Sequence, residues 1–296
     1  MAGAAAAAAP GLAALALVFN AFTWGVSWWP FRQMQGLGLH PLWLTTITFV
    51  AATALLVLRH RGAWTELRRT PVLWVLVAAA GTTNACFNWA VSIGDVVRVV
   101  LLFYLMPLWT VLLSRLLLGE RISATGGLRV ALALAGAAVV LWPADAAGLG
   151  GASLGLPDAL ALVGGFSFAL NNVMLRREAH RSAPARALAM FGGGALVALL
   201  LAAGLTRAGL ATLPPPPALS WLAGAALMTL WFLAANLALQ YGAARLPANT
   251  TSVIMLSEVV FASLSALALG AGVLDGRVGL GALLIVGAAL LAARRG

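Results

Sequence analysis

Apolar runs of about twenty residues recur along the whole of this 296-residue chain, separated by short polar turns. A helix rises ~1.5 Å per residue, so a run of that length crosses a hydrocarbon core of ~30 Å. Backbone N–H and C=O groups in lipid must bond within the protein, which leaves helices or a closed barrel. The runs show no strand-like alternation, so the expected fold class is all-α integral membrane. A composition of 62% hydrophobic and 9% charged residues excludes a soluble domain. Ten spans can be laid out: Gly11–Pro30, Pro41–Leu58, Pro71–Ser92, Val96–Leu113, Gly126–Trp142, Pro157–Leu175, Ala185–Leu205, Leu219–Tyr241, Pro247–Leu269 and Val278–Ala292. Prolines open several of them, where a first-turn N–H has no helical partner anyway.

The stretch Tyr104 to Trp142 reads as two apolar helices joined by the turn Gly119-Glu120-Arg121-Ile122-Ser123. Moved along by 151 residues without a gap, it falls on Met255 to Ala293. Leu113-Ser114-x-Leu116-x-Leu118-Gly119 meets Leu264-Ser265-x-Leu267-x-Leu269-Gly270, and Gly136 meets Gly287. An Ala/Leu-rich background inflates identity, but the unbroken register points to two copies of one unit. Five spans per copy is an odd number, so the second copy enters the membrane from the opposite side. The expectation is ten transmembrane helices in two inverted five-helix repeats, residues 1–148 and 149–296.

The net charge of +10 rests on 18 arginines and no lysine. With a cytoplasmic N-terminus, fourteen arginines fall on inner loops and only Arg32, Arg98, Arg207 and Arg277 on outer ones. That asymmetry fits the positive-inside rule, places both termini in the cytoplasm, and explains the basic charge without a nucleic-acid partner. The absence of lysine excludes a Walker A loop. Cys86 is the sole cysteine, so no intrachain disulfide forms. The start, Ala4 to Ala9, lacks a positive n-region, and the first helix is expected to be retained.

Polar residues in mid-span are costly in lipid and mark protein-facing or water-facing positions. Asn20 and Trp24 share one face of the first span, and Asn84, Phe87 and Asn88 cluster in the third. Phe103 and Tyr104 precede Pro107, which removes a helical donor and marks a helix break in the fourth. Phe168, Asn171 and Asn172 fall in the sixth, and Trp231 and Asn236 in the eighth. These are the candidate substrate-binding residues. Each single amide has an equal claim as interhelical glue. Glu258 stands eleven residues past Pro247, roughly 16 Å into the ninth span at 1.5 Å per residue. It is a candidate proton- or amine-binding site, or a structural acid. Asp95 and Arg98, at i and i+3, read as a local ion pair.

No catalytic constellation, metal set or cofactor motif is present: His40, His60 and His180 all fall in loops, and there is no HExxH or CxxC. The two classes left open are a secondary transporter and a membrane-embedded lipid enzyme or scaffold. An enzyme needs paired acids or histidines at one interface, which this chain does not show.

The unit Leu105-x-Pro107-Leu108-x(10)-Gly119-Glu120, followed by a Gly136-centred helix, resembles the repeat of the drug/metabolite transporter superfamily, EamA type. The family's Leu-Glu-Pro pattern in the ninth helix appears as Ser257-Glu258-Val259, and the Gly-Glu of the following turn as Gly270-Ala271. Within the superfamily the chain is similar to aromatic amino acid exporters of the bacterial inner membrane. The resemblance implies amino-acid export from a central cavity lined by helices 1, 3, 4, 6, 8 and 9. The protein is expected to work as a monomer in membrane lipid, with a dimer left open.

Overall fold

In a computed structural model the described residues are 2–119, 127–128, 131–132, 134–136, 139, 154–243, 254–255, 257–272 and 276–293. Every regular element among them is helical. The first half gives α1 (Ala2–Val26), α2 (Trp28–Gly36), α3 (Pro41–Arg59), α4 (Arg61–Arg69), α5 (Pro71–Ile93), α6 (Val96–Phe103) and α7 (Met106–Leu118). The second gives α8 (Leu156–Arg177), α9 (Ala183–Arg207), α10 (Leu219–Ala243), α11 (Ser257–Ala268) and α12 (Gly276–Ala293).

Among the described residues seven stretches are long and apolar enough to cross a membrane: Gly11–Gly36, Pro41–Arg59, Pro71–Ile93, Val96–Leu118, Leu156–Arg177, Ala183–Arg207 and Leu219–Leu239. Large apolar side chains such as Leu116, Leu200, Leu227 and Leu283 are more than 60% exposed on these and neighbouring helices. An apolar surface on that scale is a lipid-facing one. The fifth expected span and the turn holding Glu120 lie mostly outside the described residues, as do Pro247 and the loop joining the halves. Glu258 sits in the first described turn of α11.

Helix starts follow the local chemistry. Proline stands in the first turn of α3, α5, α8 and α9. Nδ1 of His40 accepts from the Leu42 N–H (3.2 Å), Asp95 from the Arg98 N–H (2.8 Å), and Ser182 Oγ from the Ala185 N–H (3.3 Å). Burial holds the His40 imidazole below its usual range, which favours the neutral ring that this cap requires. Because Asp95 faces its own helix end, the Arg98 guanidinium reaches Asp158 at the start of α8, with Nε–Oδ1 2.7 Å and Nη2–Oδ2 3.0 Å. The i,i+3 spacing pointed to Asp95. The two-pronged bond to a residue sixty positions away is the geometry arginine favours.

The stretch Arg59 to Arg69, expected as a loop, contains the short helix α4. Ala63 and Leu67 form its buried face, while Trp64 and the arginines remain outside. Its Glu66 accepts from both the N–H and the hydroxyl of Ser182 at the head of α9. A nine-residue helix with so few apolar positions gives little periodic signal.

Helices in a bilayer gain nothing from leaving lipid for one another, so contact depends on packing and on small residues. α5 and α9 cross at Gly81 and Gly193: a Cβ on Gly193 would strike the backbone of Val77, and one on Gly81 the backbone of Gly193. Gly165 of α8 lies against the carbonyl of Phe103, and Gly25 of α1 against the carbonyl of Glu258. The Phe103 carbonyl is the one that Pro107 cannot bond, and the helix breaks at Tyr104–Leu105.

Gly193→Ala is therefore expected to lower the thermal unfolding temperature in detergent, at a cost of ~1–3 kcal/mol from overpacking. Gly204→Ala, on the same helix with open space around it, is expected to be neutral or stabilising. Hydrogen bonds from Ser182 hold the Glu66 carboxyl below the usual carboxylate range. The α4–α9 clamp is then complete above that range and is lost as pH falls through the depressed value. Amide exchange in α4 should rise there before that of α5.

Candidate functional site

The crossing helices leave a cavity of about 100 Å³ between them. α1 contributes Asn20 and Trp24, α5 contributes Asn84 and Phe87, and α6 contributes Phe103. From the second half come Phe168 and Asn171 of α8, Asn236 of α10 and Glu258 of α11. These nine positions, singled out in the sequence as candidate substrate-binding residues or, for Glu258, as a proton or amine site, all line one space. Phe49, Thr83, Met190, Phe191, Leu239 and Met255 also line it. Sequence reasoning missed them because apolar side chains on apolar helices, and a threonine bonded to its own helix, carry no local signal of which face they serve.

Four other candidates do different jobs. Asn88 is fully buried and donates to Thr45 Oγ1 (3.1 Å), tying α5 to α3. Trp231 donates to Thr23 Oγ1 (2.7 Å), tying α10 to α1. Asn172 accepts from its neighbour Asn171 (3.3 Å). Tyr104 stands behind the wall, and its hydroxyl donates to Glu258 Oε2 at 2.8 Å. Among the described residues no three of His, Cys, Asp and Glu gather into a metal-binding group.

The aromatic side chains form a connected wall. Trp24 stacks on Phe232 (centroids 5.0 Å, planes 8° apart) and meets Phe87 edge-on (6.5 Å). Phe87 contacts Phe103 (4.9 Å), which contacts Phe168 (5.4 Å). Offset and tilted pairs at these distances hold each ring by its quadrupole as well as by area. The chain of rings runs from α10 through α1, α5 and α6 to α8, so both halves share it.

The amides are fixed from behind. Asn20 Nδ2 donates to the Ala235 carbonyl across to α10 (2.8 Å), and Asn84 Nδ2 to Ala80 within α5 (2.8 Å). A backbone carbonyl only accepts, so these bonds define which end of each amide is nitrogen. The volume limits what this conformation holds. Pockets for organic ligands run from ~300 Å³ upward, so the space as it stands is small for one. Admission of an organic solute requires the helices to part.

Residues 11–142 match the EamA-like transporter family. The match covers a little under half of the chain. The motif Leu105-x-Pro107-Leu108-x(10)-Gly119-Glu120 lies inside the matched span. An uncharacterized transporter of Pseudomonas aeruginosa, PA0485, is 40% identical over 95 residues, which is 31% of this chain and 32% of that protein. The chain thus matches about a third of that relative's length. A protein of known crystal structure is similar over 95% of this chain and 96% of its own, with a TM-score of 0.58 and 23% identity, which speaks to the fold alone. With an EamA-like match in the first half, the cavity between the helices is the candidate solute site.

Tyr104→Phe keeps the ring against Phe103 but removes the hydroxyl donor from a buried carboxyl group. It is expected to cost ~1–3 kcal/mol in thermal or denaturant unfolding. Combined with Glu258→Gln, the two changes should be strongly non-additive, because they act on one bond; strict additivity would show that the pair is not coupled.

Proposed function

We propose that this protein is a secondary transporter of the bacterial inner (plasma) membrane that exports amino acids, aromatic and other neutral ones, and related small metabolites. It works by alternating access around the central cavity, without a catalytic step. The observation that carries the reading is the cavity itself: an aromatic wall with amide side chains and one carboxyl group, contributed by both halves of an EamA-like protein. Aromatic rings suit the apolar body of a solute, and amides and acid suit its polar head. Amino acids as cargo, and export as the direction, come from the resemblance to aromatic amino acid exporters.

Two inverted units, residues 1–148 and 149–296, make up the proposed ten-helix architecture, with both termini in the cytoplasm. Helix packing supports it. Exchanging α1 with α8, α3 with α9, α5 with α10, and α6–α7 with α11 maps the principal contacts between the halves onto one another, while α3–α5 and α5–α6 have no comparable counterpart among the described residues of the second half. α1 packs on α10 and α11, as α8 packs on α5 and on α6–α7. α9 packs on α5, as α3 packs on α10. The contacts α3–α9 and α6–α11 map onto themselves. Gly119 and Gly270, which coincide in the 151-residue register, both adopt left-handed backbone (φ 69° and 66°) and close their helices. Tyr104 and Met255 also coincide, and the Tyr104 hydroxyl lies 3.4 Å from the Met255 carbonyl. A contact between equivalent residues is what a two-fold axis through that point produces.

The test is flux of labelled amino acids in proteoliposomes holding the purified chain, with and without a pH gradient. Saturable movement of aromatic or other neutral amino acids is expected, reduced at least tenfold by Trp24→Ala or Asn84→Ala in protein that still folds. Flux of none of the panel from folded protein would defeat the amino-acid reading and turn attention to other metabolites or drugs. Unchanged flux in both variants would defeat the cavity assignment.

A further inference from the structure

The cavity's polar groups are unequal in sign. Its lining includes one carboxyl group, Glu258, and among the described residues no arginine or histidine; the chain has no lysine. Asn20 is 1% exposed and Asn171 2% exposed, and in each the Oδ1 has no hydrogen-bond partner among the described residues while the Nδ2 is engaged. The orientation of Asn20 is set by the Ala235 carbonyl, so its orphan atom is an oxygen and not a misassigned nitrogen. Buried acceptors without partners are rare in folded proteins and call for an explanation. Here two of them line the same small space as the carboxyl group.

Taking a charge out of water is unfavourable unless a counter-charge and hydrogen bonds replace the water. For a protonated amine, this cavity supplies the carboxylate, the two orphan oxygens and aromatic faces that attract cations. For a carboxylate it supplies neutral N–H donors, the Trp24 indole and amides of which Asn20, Asn84 and Asn171 already have one N–H engaged, and no cation among the described residues. We propose that the cavity recognises its solute through an ammonium group, held by Glu258 and by Oδ1 of Asn20 and Asn171, and makes no equivalent provision for a carboxylate. The ligand class is a small aromatic or apolar primary amine, including amino acids bound by the amine end and their amides. This inference rests on the reading of the cavity as the solute site and narrows what that site selects.

The experiment is calorimetric titration of the full chain in lipid nanodiscs with a matched set: phenethylamine, phenylalaninamide, phenylalanine, N-acetylphenylalanine and 3-phenylpropionate. The first two should bind at least as tightly as phenylalanine, and the last two at least tenfold more weakly. Glu258→Gln should weaken the amines at least tenfold and leave 3-phenylpropionate unchanged. Asn171→Leu, which keeps the branched outline but removes both polar atoms, should weaken the amines severalfold and provides a second variant should Glu258→Gln fail to fold. Binding of the two acids as tight as that of the amines would overturn ammonium recognition and leave the transporter reading standing. Amine binding unaltered in folded variants would overturn it equally. If no member of the set binds, and none moves in proteoliposomes, both readings fall together.

Discussion

A bilayer offers no water to a polar atom, and most of the side-chain bonding in this protein follows from that constraint. Hydroxyls on the spans turn back to their own helices: Thr45 to Pro41, Thr46 to Leu42, Thr48 to Leu44, Thr83 to Ala79 and Thr229 to Ala225, all at 2.8–2.9 Å. Groups too large for that solution reach across, as Trp231 does to Thr23 and Trp28 to Ser265. Against this background four buried side-chain atoms have no partner among the described residues, Oδ1 of Asn20, Asn88 and Asn171 and Nε1 of Trp109, and the oxygens of Asn20 and Asn171 belong to residues that line the cavity.

The second constraint is contact distance. Glycines let α5 and α9 touch through their backbones, and bring α1 to the backbone beside Glu258. These approaches fix the angles at which helices diverge, and the cavity is the volume left where they part. Polar chemistry and helix packing are therefore not separate layers here. The same Gly25 that seats α1 on α11 sets Trp24 and Asn20 beside the helix bearing Glu258.

Much of this was legible in the sequence, because lipid makes composition informative. Apolar runs pointed to the helical class, and amides in mid-span to positions that face protein or water rather than lipid. Asn88 and Trp231 show where that logic stops: a polar group facing a neighbouring helix and one facing a cavity look alike in one dimension. Arg98 shows a second limit, for its nearest acid in sequence caps a helix while its partner is Asp158. Phe49, Met190 and Phe191 show a third, since an apolar residue on an apolar helix does not declare its neighbours. The nine-residue α4 escaped because its two buried residues are too few to set a period.

The meeting of Gly81 with Gly193 has a mechanical consequence. Gly81 stands ten residues from the start of α5 and twelve from its end, and Gly193 ten from the start of α9 and fourteen from its end. At ~1.5 Å per residue the arms on either side measure roughly 15–21 Å. The crossing is thus a fulcrum set near the middle of two levers. A tilt of about 10° about it displaces each helix end by roughly 3 Å, one end opening as the opposite end shuts, while the point of contact stays still. Backbone meets backbone at this pivot, with the Val197 side chain packed beside Gly81.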